Sequence, residues 1–264
     1  LWSERIDRSS ERNLWSERID RSSERNLSSE RIGMEKLIYL VRERAERDGA
    51  DLREAVLEHV VPAIIAAGAT DVSVHLTDDG VGIPGPMPCP GGELPLRLAV
   101  SFWLSAHDRR GPIQALLADV GERCDGYLVT ESVWSDFGER RGEPRNWAAG
   151  ERSPGLVTLA LVHRNPRLDE RTFREFWYGH QSPMSERLQP RLRYVRNTVT
   201  HPVTLGAPVV DGIVIESWPS EDVVSDIVAF HNGDLANLTV MLDSVGVAFD
   251  MDRLRSIAMS EYLF

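Results

Sequence analysis

The chain has 264 residues, of which 42% are apolar, 27% charged and 7% aromatic, a balance that excludes collagen-like, mucin-like and wholly disordered classes. The net charge of −11 offers no clustered positive charge with which to displace counterions from a phosphate backbone, so nucleic acid is not an expected partner. The longest uncharged apolar stretch, residues 60–69, is too short to span a bilayer, and no apolar leader opens the chain, so a cytoplasmic protein without a membrane segment is expected.

Residues 1–33 read LWSERIDRSSERN twice, then a degenerate LSSERIG. The period is too short and the apolar set too sparse for a solenoid, and the segment cannot offset the entropy of ordering itself. It is expected to be a disordered repeat outside the native fold, a translated upstream repeat or a wrongly chosen start, with an interaction tail as the functional alternative. From Met34 the hydrophobic period alternates between two and 3.6. KLIYLV (36–41) reads as a strand, and Asp51 with Glu54 as a capping box opening a helix through Val56, Leu57, Val60 and Ile64. DVSVHL (71–76), LRLAVSFWL (96–104) and GYLVTESVW (126–134) read as strands, with a short helix around 113–120. Residues 34–134 thus form a first β-α-β-β-α-β half. Residues 135–154, charged and rich in Gly and Pro, read as a linker.

The same order returns over residues 155–264. LVTLALVH (156–163) is a strand, Asp169 caps a helix carrying Phe173, Trp177, His180 and Met184, and strands follow at 192–200, 211–218 and within 253–264, with helices around 220–230 and 235–245. His59-Val-Val-Pro62 precedes Val74, and His180-Gln-Ser-Pro183 precedes Val195, by the same fifteen positions from each His. A βαββαβ unit packs its helices on one sheet face and leaves the other bare, and that bare face must be buried. Two tandem ferredoxin-like units that bury these faces on each other make an α+β barrel within one chain, a pseudo-dimer, with further homodimerisation left open.

The stretch FREFWYGHQSPMSERLQPRLRYVRNTV (173–199) followed by VDGIVIESW (210–218) resembles the EthD family of dimeric α+β barrel proteins. The shared features are an aromatic helix ending in His, a strand with Tyr and Asn, and an Asp-Gly strand. The resemblance implies kinship with cofactor-independent monooxygenases and polyketide cyclases, and places His180, Tyr194 and Asn197 near a ligand cavity. The first half departs from the pattern, with Ala-Val-Leu-Glu-His where the second has Phe-Trp-Tyr-Gly-His. The reaction expected is oxidoreductase- or cyclase-type chemistry on an apolar aromatic or polyketide-like small molecule, with no tightly bound cofactor. A non-catalytic ligand-binding protein is the alternative. Haem stays open, because similar barrels bind it.

His180 would be the acid/base group. Pro183 clashes with the carbonyl of Gly179 and kinks or restarts the helix beside the imidazole. The bland alternative is a core histidine that holds the kink. Trp177 and Trp218 could wall an apolar cavity or simply be core. Tyr194 and Asn197, three apart on a strand, point to opposite faces and cannot line one cavity without a bulge. GVGIPG (80–85) matches G-x-G-x-x-G, but Pro84, Pro86, Pro88 and Pro90 stop any helix from starting there, so it is a surface loop or lid rather than a pyrophosphate cradle. Asp78-Asp79 and the 231–234 segment lack metal spacing, and Cys89 and Cys124 lack metal or disulfide spacing, so no metal site is expected.

Overall fold

Strict alternation along β1, Glu35–Arg42, shows how the chain is used. Leu37, Tyr39 and Val41 face the helices of the first half, while Ile38 and Leu40 face the opposite way. The second set meets Leu159, Leu161, Ile213, Ile257 and Met259 from the other half of the sequence in one shared interior. The computed structural model describes residues 33–43, 47–136 and 145–264, and Glu35–Phe264 form one compact unit. The repeat of residues 1–33 lies outside the described residues apart from Gly33.

The strands are β1, β2 Thr70–Leu76, β3 Leu96–Leu104, β4 Arg123–Ser135, β5 Leu156–Val162, β6 Arg193–Pro202, β7 Gly212–Trp218 and β8 Arg255–Leu263. They close into a barrel in the order β1-β3-β2-β8-β5-β7-β6-β4, every neighbouring pair antiparallel. The four strands of each sequence half are contiguous around it, so closure depends on just two seams between halves, β2 with β8 and β4 with β6. A closed barrel leaves no bare sheet edge and no bare inner face.

Helices cover the outside. α1 (Gly49–Ala55) and α2 (Val61–Ala66) flank a π-turn at Val56–Val60, and α3 is Gly111–Ala118. In the second half α4 (Glu170–Phe176) and α5 (Ser182–Leu188) flank a π-turn at Trp177–Gln181, followed by α6 (Glu221–Ser225), α7 (Ile227–Phe230) and α8 (Leu235–Ala248). The two π-turns have one cause. Pro62 and Pro183 bring no N–H to the carbonyls four residues back and crowd them, so the ladder widens and the amides of Val61 and Ser182 reach back to Val56 and Trp177. Asp48 and Asp169, His59 and His180, and Pro62 and Pro183 stand at one constant offset in the sequence.

Two local expectations change. The first helix is capped by Asp48, whose carboxylate accepts the amide of Ala50 at 2.7 Å, and Asp51 sits in the first turn, where its charge suits the positive helix end. The second half of the expected linker is not free chain. The amides of Gly150 and Ser153 donate to Leu263 and Glu261 of β8, where β5 no longer pairs with it. On the other edge of β8, where β2 ends, Met87 exchanges backbone bonds with Ser256. Gly85 there has φ +98°, and a Cβ would stand 2.5 Å from the Ala258 nitrogen and the Ser256 oxygen, so only glycine allows that approach. The GVGIPG segment is therefore a loop sealing a seam, with no helix behind it.

Candidate active site

The interior register runs out to the rim at one end of the barrel. Beyond Leu40 on β1 comes Arg42, beyond Leu161 on β5 comes His163, and before Ile257 on β8 comes Arg255. On β4 the same face carries Tyr127, Asp125 and Arg123. A period of two sends all of them toward one opening. The result is a cavity of about 360 Å³ whose floor is Leu40, Leu161, Tyr127 and Val210. Its rim is Arg42, Arg123, Arg253, Arg255, Glu93 and His163. A smaller hollow of about 190 Å³ lies beside it, sharing Val210 and lined by Phe173, Val199 and His201 among others.

The rim charges are not evenly matched. Arg123 is held by both oxygens of Asp125 at 2.9 and 3.0 Å, and Arg255 by Glu93 at 3.1 Å. Arg42 instead donates to the carbonyl of Leu94 and lies 3.8 Å from the Cys89 sulfur. Arg253 donates to the carbonyl of Val209. Inside this ring His163 is 7% exposed, and its Nδ1 has no partner among the described residues. Burial, and then the charge of Arg253, push its pKa down to about 4, against the smaller opposing effect of Asp211 and Asp250. The imidazole is therefore neutral at pH 7. The Tyr127 hydroxyl donates to Pro208 at 3.0 Å, and burial raises its pKa so that it stays protonated. A neutral buried base, a phenol and a positive rim can bind an apolar molecule, take a proton from it and hold the anion formed.

The opposite end of the barrel is filled by matched charges. Glu261 accepts from Arg193 at 2.8 Å and Ser153 at 2.9 Å, and is paired with His75 at 3.1 Å. Its burial alone would raise its pKa, but Arg193, His75 and Ser153 outweigh that and hold the carboxyl near 2. Lys36, the chain's only lysine, pairs with Glu131.

The residues singled out in the sequence do not converge. His180 is exposed on the outer helical layer, its ring 4.7 Å from that of Phe176, and it lines neither hollow. Trp177 and Trp218 are fully buried beneath that layer, their indole N–H groups donating to Tyr194 Oη and Thr158 Oγ1. Tyr194 stays on the helix side, under the guanidinium of Arg191. Asn197 points the other way, into the barrel, where its amide donates to the carbonyl of Ile213 and Oδ1 has no partner among the described residues. The rim set was missed, although the sequence carried a signal for it: polar residues at the ends of apolar strands, on the face that continues the interior. Among the described residues no group of three or more His, Cys, Asp or Glu could hold a metal ion, and no helix is long and apolar enough to cross a membrane.

No protein-family model matches the sequence, and no curated protein does. Among solved structures, an anthrone oxidase-like protein superposes with a TM-score of 0.54 at 8% identity, over 87% of this chain and 92% of that one. A proposed monooxygenase from Lactobacillus acidophilus (TM-score 0.46, 9% identity, 87% and 93% covered) and chlorite dismutase from Candidatus Nitrospira defluvii (0.43, 9%, 89% and 94%) are weaker similarities. The similarity to the anthrone oxidase-like protein is one of fold, here an antiparallel barrel of eight strands closed within a single chain.

Proposed function

We propose that this chain is a small-molecule enzyme working at the barrel mouth, with His163 as its acid/base group and an apolar, aromatic substrate that carries an acidic proton. The observation that carries the reading is the buried, neutral His163, its Nδ1 unpartnered among the described residues, bordering an arginine-rimmed cavity. Its imidazole would take a proton from a carbon beside a ketone, or from a phenol. The guanidiniums would stabilise the enolate or phenolate so formed, which in turn would raise the imidazole's proton affinity at the right moment. Such an anion can give electrons to dioxygen, the oxidase or monooxygenase outcome, or attack a carbonyl of its own chain, the cyclase outcome. The fold similarity to an anthrone oxidase-like protein suggests anthrone, an aromatic ketone with an acidic methylene, as a first probe.

The constant offset of caps, histidines and prolines supports two ferredoxin-like halves of common origin; in this reading the second is EthD-like, and the protein works in the cytoplasm without a tightly bound cofactor. His180, on the outer layer, takes no part in this site. Oxygen uptake with anthrone tests the reading. His163→Gln should cut the rate by ~10²–10⁴, the usual loss for an acid/base group, while the melting curve stays cooperative. An unchanged rate overturns it. Hemin titration is the control: a Soret shift lost in His163→Ala would replace this reading with a haem site.

A further inference from the structure

We infer that the mouth takes an organic carboxylate, bonded by Arg42 and Arg253, with its apolar body lying along Leu40, Leu161 and Tyr127; this rests on the reading of the mouth as the substrate site. Four guanidiniums share one small rim in a chain whose net charge is −11. Gathering like charges is unfavourable unless something neutralises them, and among the described residues carboxylates do so for two. Asp125 takes Arg123 and Glu93 takes Arg255. Among the described residues Arg42 and Arg253 have backbone carbonyls as their only oxygen partners, at 3.0 Å each. A guanidinium carries five N–H donors in a fork that fits a carboxylate, and both of these guanidiniums line the cavity.

The other acidic groups nearby do not fill the gap. Asp211 accepts the amide of Arg164 at 2.8 Å and Asp250 that of Asp252 at 3.2 Å, and neither forms an ion pair with Arg42 or Arg253. Each acts on His163 less than burial or Arg253 does. The cavity floor is apolar, so the missing charge belongs to a ligand that is anionic at one end and greasy at the other. Tyr127 and His163 border the greasy part, which places any acidic proton of the ligand beside the imidazole while the carboxylate stays at the rim.

The test uses 2-naphthoate and its neutral isostere 2-naphthamide, titrated calorimetrically into the full chain at pH 7. The acid should bind about tenfold or more tightly than the amide, and Arg42→Gln and Arg253→Gln should each cost the acid about tenfold, the size of one lost charge-assisted hydrogen bond, leaving the amide unmoved. Raising the salt should weaken the acid alone. Arg253 is exposed, so its variant keeps the test open if Arg42→Gln fails to fold. Equal affinity for acid and amide, no binding of the acid at millimolar concentration, or an acid preference untouched by both variants overturns the inference. His163→Gln separates it from the functional reading. If it keeps the acid preference while wild type shows no oxygen uptake with anthrone, the reaction fails and the carboxylate site stands. If anthrone turns over through His163 with no acid preference, the carboxylate site fails alone.

Discussion

At one end of the barrel Glu261 is met by His75, Arg193 and Ser153, and Lys36 by Glu131, so these buried charges have their opposites inside the wall. At the other end, among the described residues, Arg42 meets the Leu94 carbonyl and the Cys89 sulfur, Arg253 the Val209 carbonyl, and His163 keeps a nitrogen without a partner. The same eight strands supply both ends, with the same alternation of inward residues. The difference lies in satisfaction. A buried network that is complete holds a structure together, and removing one member leaves the rest stranded. A rim left incomplete contributes little to folding and has bonds to give a ligand.

The largest effect should come from breaking the complete end. Glu261→Gln removes the buried charge that faces His75 and one of the carboxylates that Arg193 pairs with, Asp136 being another, and is expected to cost about 3–5 kcal/mol in urea unfolding. A loss below about 1 kcal/mol would mean the two ends are energetically alike. The mouth should instead reveal itself through pH. The folded pKa of His163, about 4, lies below the ~6.5 of an unfolded histidine, so the unfolded chain binds the proton first and stability falls as pH drops through that window. His163→Gln should remove about 1–3 kcal/mol of that fall. Glu261 acts lower: its depressed carboxyl stabilises the fold above the ordinary carboxylate range, and that stabilisation is lost as pH falls from about 4.5 toward 2. The stretch from pH 4.5 to 6.5 therefore reports on His163, and a variant with the wild-type slope there would show that its burial is not felt.

Smaller still is the expected response of Arg42→Gln and Arg253→Gln. Each removes a positive charge from a rim with too many, so unfolding free energy should stay within about 0.5 kcal/mol of wild type or rise slightly. Saturating 2-naphthoate should raise the melting temperature of wild type and not of the double variant. A double variant that melts far below wild type would make the rim structural, like the opposite end.

Architecture was legible because it follows from local patterns. Continuous apolar runs such as LAVSFWL demand cover on both faces, and the equal spacing of His59 to Val74 and His180 to Val195 exposed a repeated order of elements that recurs in the barrel. The π-turns were legible in part, since a kink beside Pro183 follows from its missing N–H. The mouth was not legible, because it is assembled from Arg42, Arg123, His163 and Arg253, which are scattered through the sequence and meet once the barrel closes. No short motif records that meeting. Attention to aromatic neighbours instead drew Trp177 and Trp218 into the candidate site, and they are packed beneath the outer helices with their N–H groups satisfied.

The smallest effect separates helix from barrel most cleanly. His59 and His180 occupy the same place in their π-turns, each three residues before the proline that widens the ladder, and both are exposed. Each turn is held by backbone bonds across the proline and by the residues beneath it, Val56 and Val60 in one, Trp177 and Gln181 in the other. An exposed imidazole on such a turn loses little on replacement beyond its own contact, which for His180 is the ring of Phe176. His59→Gln and His180→Gln should therefore shift unfolding by less than about 0.5 kcal/mol each, and both should turn over anthrone at the wild-type rate. If His180→Gln alone abolished turnover with the fold intact, chemistry would belong to the helical layer of the second half. The barrel mouth would then be a binding surface without a catalytic base, and the two halves, alike in their turns, would differ in the one property that matters.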